Sequence, residues 1–246
     1  MRLFNLAKID YTFEGFKIHN PSLKELFEVL ETEENVLFCL QILTMPLKET
    51  LKLTGAAEIS EFMLFQSLIL TDKEIAGVTF EHKQKIIKLL LLLFPGFTLE
   101  LLNDRFIFKK EDEILLLSGD NFDNFKKILS QMLDLKSIFE NDENQKLGYN
   151  PSNAQAAAIA KKLEDGKKKV AQLKNEGNHS IFENYLTVLS VGFGIPVTEL
   201  CETLTLYALI KTYKRFVAKI AWDMDIKCRL AGGTPSDSPE NWMAIE

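Results

Sequence analysis

Apolar and polar residues alternate at the start of the chain, where Phe4, Leu6, Ile9, Tyr11, Phe13, Phe16 and Ile18 are spread among polar neighbours. A period of two marks half-buried strands, and Glu14-Gly15 is turn-forming, so a hairpin of two short strands is expected here. From Pro21 the period lengthens. Leu23, Leu26, Phe27 and Leu30 recur at helical spacing behind Asn20 and Ser22, either of which can cap the helix, and Glu25 and Glu28 favour its positive N-terminal end. Further helices are expected over 33–43, ending around Pro46, over 60–70, and over 80–94, where Pro95-Gly96 stops the pattern; Ser60 and Thr79 are the caps. Two β-rich stretches, 105–108 and 114–117, flank Lys109-Lys110-Glu111-Asp112-Glu113, a charged five-residue link that reads as a hairpin turn. Asp120-Asn121 then starts a helix with Phe122, Phe125, Ile128, Leu129 and Met132 along one side.

Periodicity lapses between Phe139 and Tyr149, in a polar, turn-prone run from Glu140 to Lys146. A domain boundary belongs there. Beyond it the pattern is helical: a Ser152-capped helix to about Asn175, another from His179 or Ser180 to the Gly192–Pro196 region, a third capped by Thr198, and a long, strongly apolar helix over roughly 203–230. Gly232-Gly233 ends the last, and Pro235 and Pro239 forbid its renewal. The expected fold is mainly α with a small β component: an α+β domain with short hairpins over 1–140, a linker over 141–148 and an all-α helical domain over 149–246.

With 46% apolar and 26% charged residues in 246, the chain can build a core and solvate its surface. A net charge of −6 argues against general nucleic-acid affinity, which needs basic surface to displace counterions. Cys39, Cys201 and Cys228 are far apart, as suits buried thiols in a reducing compartment. The opening residues lack a signal-peptide pattern. The most hydrophobic stretch, 86–97, is interrupted by Lys88 and broken by Pro95-Gly96, well short of the roughly 20 residues a bilayer span needs. A cytoplasmic location is expected.

Reactive chemistry finds little support. His19, His82 and His179 share no helical turn, and no Cys-x-x-Cys is present, so no metal site is expected. No nucleophile elbow occurs, and the Gly-x-Gly at Gly192 and Gly194 follows a helix, which makes it a helix stop rather than a phosphate loop. No catalytic residue, cofactor or metal ligand is therefore assigned, and the chain is read as non-enzymatic. Two features invite a partner. Lys161, Lys162, Lys167, Lys168, Lys169 and Lys174 crowd one helix as a candidate basic patch; a solvated helix face with lysines near its C-terminal end is the plainer reading, an acidic protein surface stays open, and with no aromatic rings interleaved nucleic acid fits poorly. The last long helix carries more apolar surface than one buried stripe requires, as a central helix packed on several sides would, or one with part of its face left for docking.

Several elements resemble the tail assembly chaperones of long-tailed bacteriophages of Gram-positive hosts. They are Tyr149-Asn150-Pro151 with the alanine/lysine helix to Lys174, Ile181-Phe182 through Val191-Gly192, Leu204-Thr205-Leu206-Tyr207, Lys214-Arg215-Phe216, Trp222-Asp223-Met224-Asp225-Ile226, Arg229-Leu230-Ala231-Gly232 and Trp242. The Asn121-Phe122-Asp123-Asn124-Phe125 helix start adds to the likeness. The resemblance is best over about the last hundred residues. It implies a protein of the infected host's cytoplasm, absent from the mature virion, that keeps the apolar helical segments of the tape-measure protein soluble during tail morphogenesis. Tyr207, Tyr213, Phe216 and Trp222 are then the candidate anchors. Self-association and contact with the tail-tube protein fit the same picture, as does recognition by a host defence receptor. A structural virion component (connector or baseplate) and a regulator that binds nucleic acid or host protein are the competing expectations.

Overall fold

Ser22 opens the first helix by a reciprocal cap: its Oγ accepts from the Glu25 N–H, while the Glu25 carboxylate accepts from the Ser22 N–H. That helix, α1 (Leu23–Leu30), follows a two-stranded hairpin, β1 (Tyr11–Phe13) and β2 (Phe16–Ile18), paired antiparallel. Glu14 and Gly15 both take positive φ between these strands, the conformation a two-residue hairpin turn demands and the reason a glycine stands second. The computed structural model describes residues 9–52, 59–71, 73–133 and 180–230, with the backbone alone at 224, 225, 228 and 229. The expected linker, the Ser152-capped helix and the region beyond 230 lie outside them.

Thr32 caps α2 (Glu33–Thr44), and a short α3 (Leu47–Thr50), not expected from the pattern, follows Pro46. Ser60 caps α4 (Glu61–Leu70), and Thr79 caps α5 (Phe80–Leu93) with His82 reaching back to the Thr79 N–H. Next come three antiparallel strands in sequential order, β3 (Thr98–Leu101), β4 (Arg105–Lys110) and β5 (Glu113–Ser118), and then α6 (Phe122–Leu133). The five-residue link is a correction. The turn is Glu111-Asp112 alone, with Glu111 at positive φ; Lys109 pairs with Ile114, and Lys110 opposes Glu113, so charges assigned to a loop belong to the ladder. The described residues beyond 180 are helical: α7 (Ile181–Phe193), capped by Ser180 and closed by left-handed Gly194; α8 (Val197–Thr203), which begins one residue before the expected Thr198 cap; and α9 (Leu206–Leu230). A break at Leu204-Thr205 separates the last two, so the long helix starts later than the pattern suggests. The whole is mainly helical with two small antiparallel sheets.

By backbone proximity the chain divides into two units, Met1–Ile138 with Thr198–Ala208, and Phe139–Val197 with Leu209–Glu246. In the first, α1 lies against α2 and α5, and α6 lies against α2, α4 and β1. Phenylalanines fill the space between helices and sheet. Phe122 of α6 meets Phe62 and Phe65 of α4, both of which reach Phe106 of β4, while Phe94 joins Phe108 to Phe125, and Phe125 touches Phe13 of β1. These rings are buried, and such pairs add about 0.5–1.5 kcal/mol each beyond their area.

The expectation of a continuous C-terminal domain meets a difference here, because residues 198–208 belong to the first unit. Ser22 and Thr205 form an antiparallel bridge, the Leu23 N–H donates to the Leu204 carbonyl at 2.9 Å, and Lys24 pairs with Glu202 at 2.8 Å. Leu200, Leu206, Tyr207 and Ala208 are buried there. The edge strand β5 is also closed locally. Asn121 donates to the Leu116 carbonyl and accepts from the Ser118 N–H, so one side chain occupies two edge positions that another strand could use.

Candidate partner-binding surface

Titratable groups in the first unit serve the fold. Lys126 of α6 donates to the Met45 carbonyl at the end of α2 and to Glu61 at 2.9 Å, while Glu61 also accepts from the Leu47 N–H. One carboxylate thus ties α3 and α4 to α6. Burial pushes its pKa up, but the Leu47 amide and the Lys126 ammonium outweigh it and hold the carboxyl below its usual range. Lys83, buried, donates to the Thr71 and Lys73 carbonyls just beyond α4. His19 stands between Asp10 (Nδ1, 3.4 Å) and Glu25 (Nε2, 3.0 Å), one carboxylate on each ring nitrogen, so the three cannot converge on one ion. Asn20 beside it is fully buried, and its carboxamide has no hydrogen-bond partner within the protein.

Among the described residues, no three His, Cys, Asp or Glu side chains could hold a metal ion. Burial pushes the Cys39 thiol up to about 12, which leaves it protonated and a poor nucleophile near neutrality. Cys201, half-buried, is also raised, by burial first and by Glu202 second. The Cys228 side chain is outside the described residues. An open depression between Gln66, Ser67, Leu70, Thr71, Ile75 and Asn103 holds no ionisable group. Among the described residues no single helix is long and apolar enough to cross a membrane.

The second unit presents a different surface. Its helices α7 and α9 meet through rings: Tyr185 stacks on Tyr213 with centroids 3.8 Å apart, and Phe193 meets Phe216 edge-on at 5.1 Å. Gly192 makes that second contact possible. A Cβ there would lie 2.1 Å from the Phe216 ring, so the glycine does more than stop a helix, and the stop itself is Gly194. Around these contacts aliphatic side chains face solvent. Val191 is 81% exposed, Phe193 49%, and Val217 and Ile220 42% each. Val217 and Ile220 are three residues apart on α9 and so share a face, and Phe193 meets that helix through Phe216, while Val191, two residues before Phe193, points to another side of α7.

Of the four anchors named from sequence, Tyr207 is a correction. It is 5% exposed, packed within the first unit, and has no ring area to offer a partner. Tyr213 and Phe216 are half-buried and engaged with α7, so they shape the surface rather than project from it. Trp222 is half-buried further along α9. The basic patch, Lys161, Lys162, Lys167, Lys168, Lys169 and Lys174, lies outside the described residues. Sequence reasoning passed over Val191 and Phe193 because they sit at a helix end and read as part of the stop. The available signal was their position, with Val188, on an uncharged stretch from 184 to 193.

Comparison with protein-family models, with curated proteins and with solved structures gave no match.

Proposed function

We propose that this protein is a tail assembly chaperone, a non-enzymatic binder that covers apolar helical segments of a phage tape-measure protein until the tail tube encloses them. The observation that carries the reading is the band of exposed apolar side chains on α7 and α9: Val217 and Ile220 stand outside the ring contacts that join the two helices, and Phe193, which makes one of those contacts, still has about half of its surface in water. An exposed apolar band costs solubility unless a partner covers it, and an amphipathic helix is the partner whose shape fits a two-helix face. The resemblance over the last hundred residues supplies the client.

The same reading gives the two parts of the chain separate duties, an α+β part over 1–140 as platform and a helical part over 149–246 as the binding element, with residues 198–208 joining them. Binding through many modest contacts suits a client that must later be released. The test is co-expression with the adjacent tape-measure gene in the host cytoplasm. Soluble tape measure should rise several-fold with the intact chain and fall back with Val217→Ser and Ile220→Ser together. An unchanged soluble fraction would reject the proposal, and so would recovery of the protein as a stoichiometric part of purified virions.

A further inference from the structure

The band on α7 and α9 sits in a lopsided electric field. Over its 25 residues α9 carries Lys211, Lys214, Arg215, Lys219, Lys227 and Arg229 against Asp223 and Asp225, six positive charges to two negative. That is +4 on one helix of a chain whose total is −6. The partner helix offsets it by a single charge, Glu183 in its first turn, since residues 184–193 of α7 are uncharged. Arg215, Lys219 and Lys227 are exposed. Lys227 lies two turns beyond Ile220 and continues its row, while Arg215 and Lys219, four apart, form a second positive row.

We propose that this band takes an amphipathic client helix with acidic flanks, its apolar stripe on Phe193, Val217 and Ile220 and its carboxylates drawn by the positive field of α9. The inference rests on the chaperone reading and narrows its client. Apolar contact alone would accept any greasy helix. Lysine-flanked helices meet like charge on α9 and are turned away, whereas glutamate-flanked ones gain attraction over a Debye length of about 8–10 Å. The discrimination is worth little per charge at an exposed site, but several act together. It also weakens with salt, which makes it separable from the apolar component.

The experiment uses the full chain and two fluorescein-labelled helical peptides of about 20 residues with the same Leu/Ile stripe, one flanked by Glu and one by Lys. Anisotropy titrations near 50 mM salt should show the Glu peptide bound roughly tenfold more tightly, and the gap should close near 0.5 M, where screening is strong. Lys219→Glu with Lys227→Glu should shift preference towards the Lys peptide. Ile220→Ser should weaken both peptides and leave their ratio unchanged. Equal affinities at low salt would overturn the inference, as would binding to phosphatidylserine-containing vesicles but to neither peptide, which would assign the band to a membrane surface. The two levels come apart cleanly. Tape measure rescued in co-expression without any acidic preference leaves the chaperone reading and removes this inference. Acidic preference without rescue does the reverse.

Discussion

Most described aromatic residues of the two units are put to different uses, although Phe182 of the second is as buried as the core rings of the first and Phe80 of the first is exposed. In the first, Phe13, Phe62, Phe65, Phe94, Phe106, Phe108, Phe122 and Phe125 are turned inward and form one connected cluster between sheet and helices. In the second, Tyr185, Tyr213, Phe193 and Phe216 join two helices at two points and leave the aliphatic residues around them in water. A ring inside a sealed core stabilises the fold through burial, at about 25 cal/mol per Å² removed from water. A ring that pins a helix pair sets the shape of a surface. On the proposed reading the first arrangement serves as a platform and the second as a binding element, with Phe193, Val217 and Ile220 exposed among the described residues.

The sharpest way to break that contrast is to remove one ring from each side. Phe122→Ala should cost about 3–5 kcal/mol in urea denaturation of the full chain, because the side chain is buried among Phe62, Phe65 and Phe125 and the cavity cannot collapse. Phe193→Ala should cost about 1 kcal/mol or less, since nearly half of its surface already meets water. Similar losses from both would show that the second unit is as sealed as the first.

Next in size is Lys126→Met. It leaves Glu61 partly buried with the Leu47 N–H and the charge of Lys48 to stabilise it, and the expected loss is about 3 kcal/mol, the low end for breaking a buried pair. Acidity provides a second readout. Glu61 has a folded-state value held down, so its contribution is present above the ordinary carboxylate range and is lost as pH falls through the folded value. Thermal denaturation from pH 7 down to about 3 should therefore show a steeper loss in the parent than in Lys126→Met, where burial is left to oppose ionisation.

How much of this was legible depends on how local the cause is. Caps are local: Ser22, Ser60, Thr79 and Ser180 each accept from a backbone N–H three residues on; Ser60 and Thr79 were readable from the residue alone, whereas Asn20 stood as an alternative to Ser22 and His179 to Ser180. The first hairpin was equally plain, because Glu14-Gly15 sits between alternating runs. Strand β3 was not, since Thr98-Leu99-Glu100-Leu101 is short and becomes a strand only by pairing with β4. The return of Thr198–Ala208 to the first unit was invisible for the same reason, being fixed by Ser22, Leu23 and Lys24 far away in sequence. At the candidate surface, apolar excess on α9 pointed to the helix that carries the exposed Val217 and Ile220. It could not tell Tyr207, which is sealed, from Val217 and Ile220, which are not, because burial is decided by neighbours and not by hydropathy.

Gly192→Ala tests whether the ring contacts fix the surface. The added carbon would lie 2.1 Å from the Phe216 ring, so the ring must swing away or α7 must shift. A cost of about 1–3 kcal/mol is expected, typical of overpacking, despite alanine's better helix propensity. Hydrogen exchange should localise the change to α7 and α9 and leave α1 to α6 as they were. Exchange that quickens across α6 as well would mean that the first unit's stability depends on this contact.

The smallest effect on stability carries the most weight for function. Val217→Ser and Ile220→Ser replace side chains that already face solvent, so each should leave the denaturation midpoint within the ~0.5 kcal/mol scatter of ordinary surface changes. If the exposed band were merely incidental, nothing else would change either. If it holds a client, the same substitutions should sharply reduce soluble tape measure in co-expression, because each removes apolar area that counts only in the complex. Phe122→Ala sets the control. It weakens the platform by several kcal/mol without touching the band, so at a temperature where the variant remains folded it should retain client better than Ile220→Ser does. The reverse ranking would place the binding surface on the first unit and reverse the assignment of duties between the two.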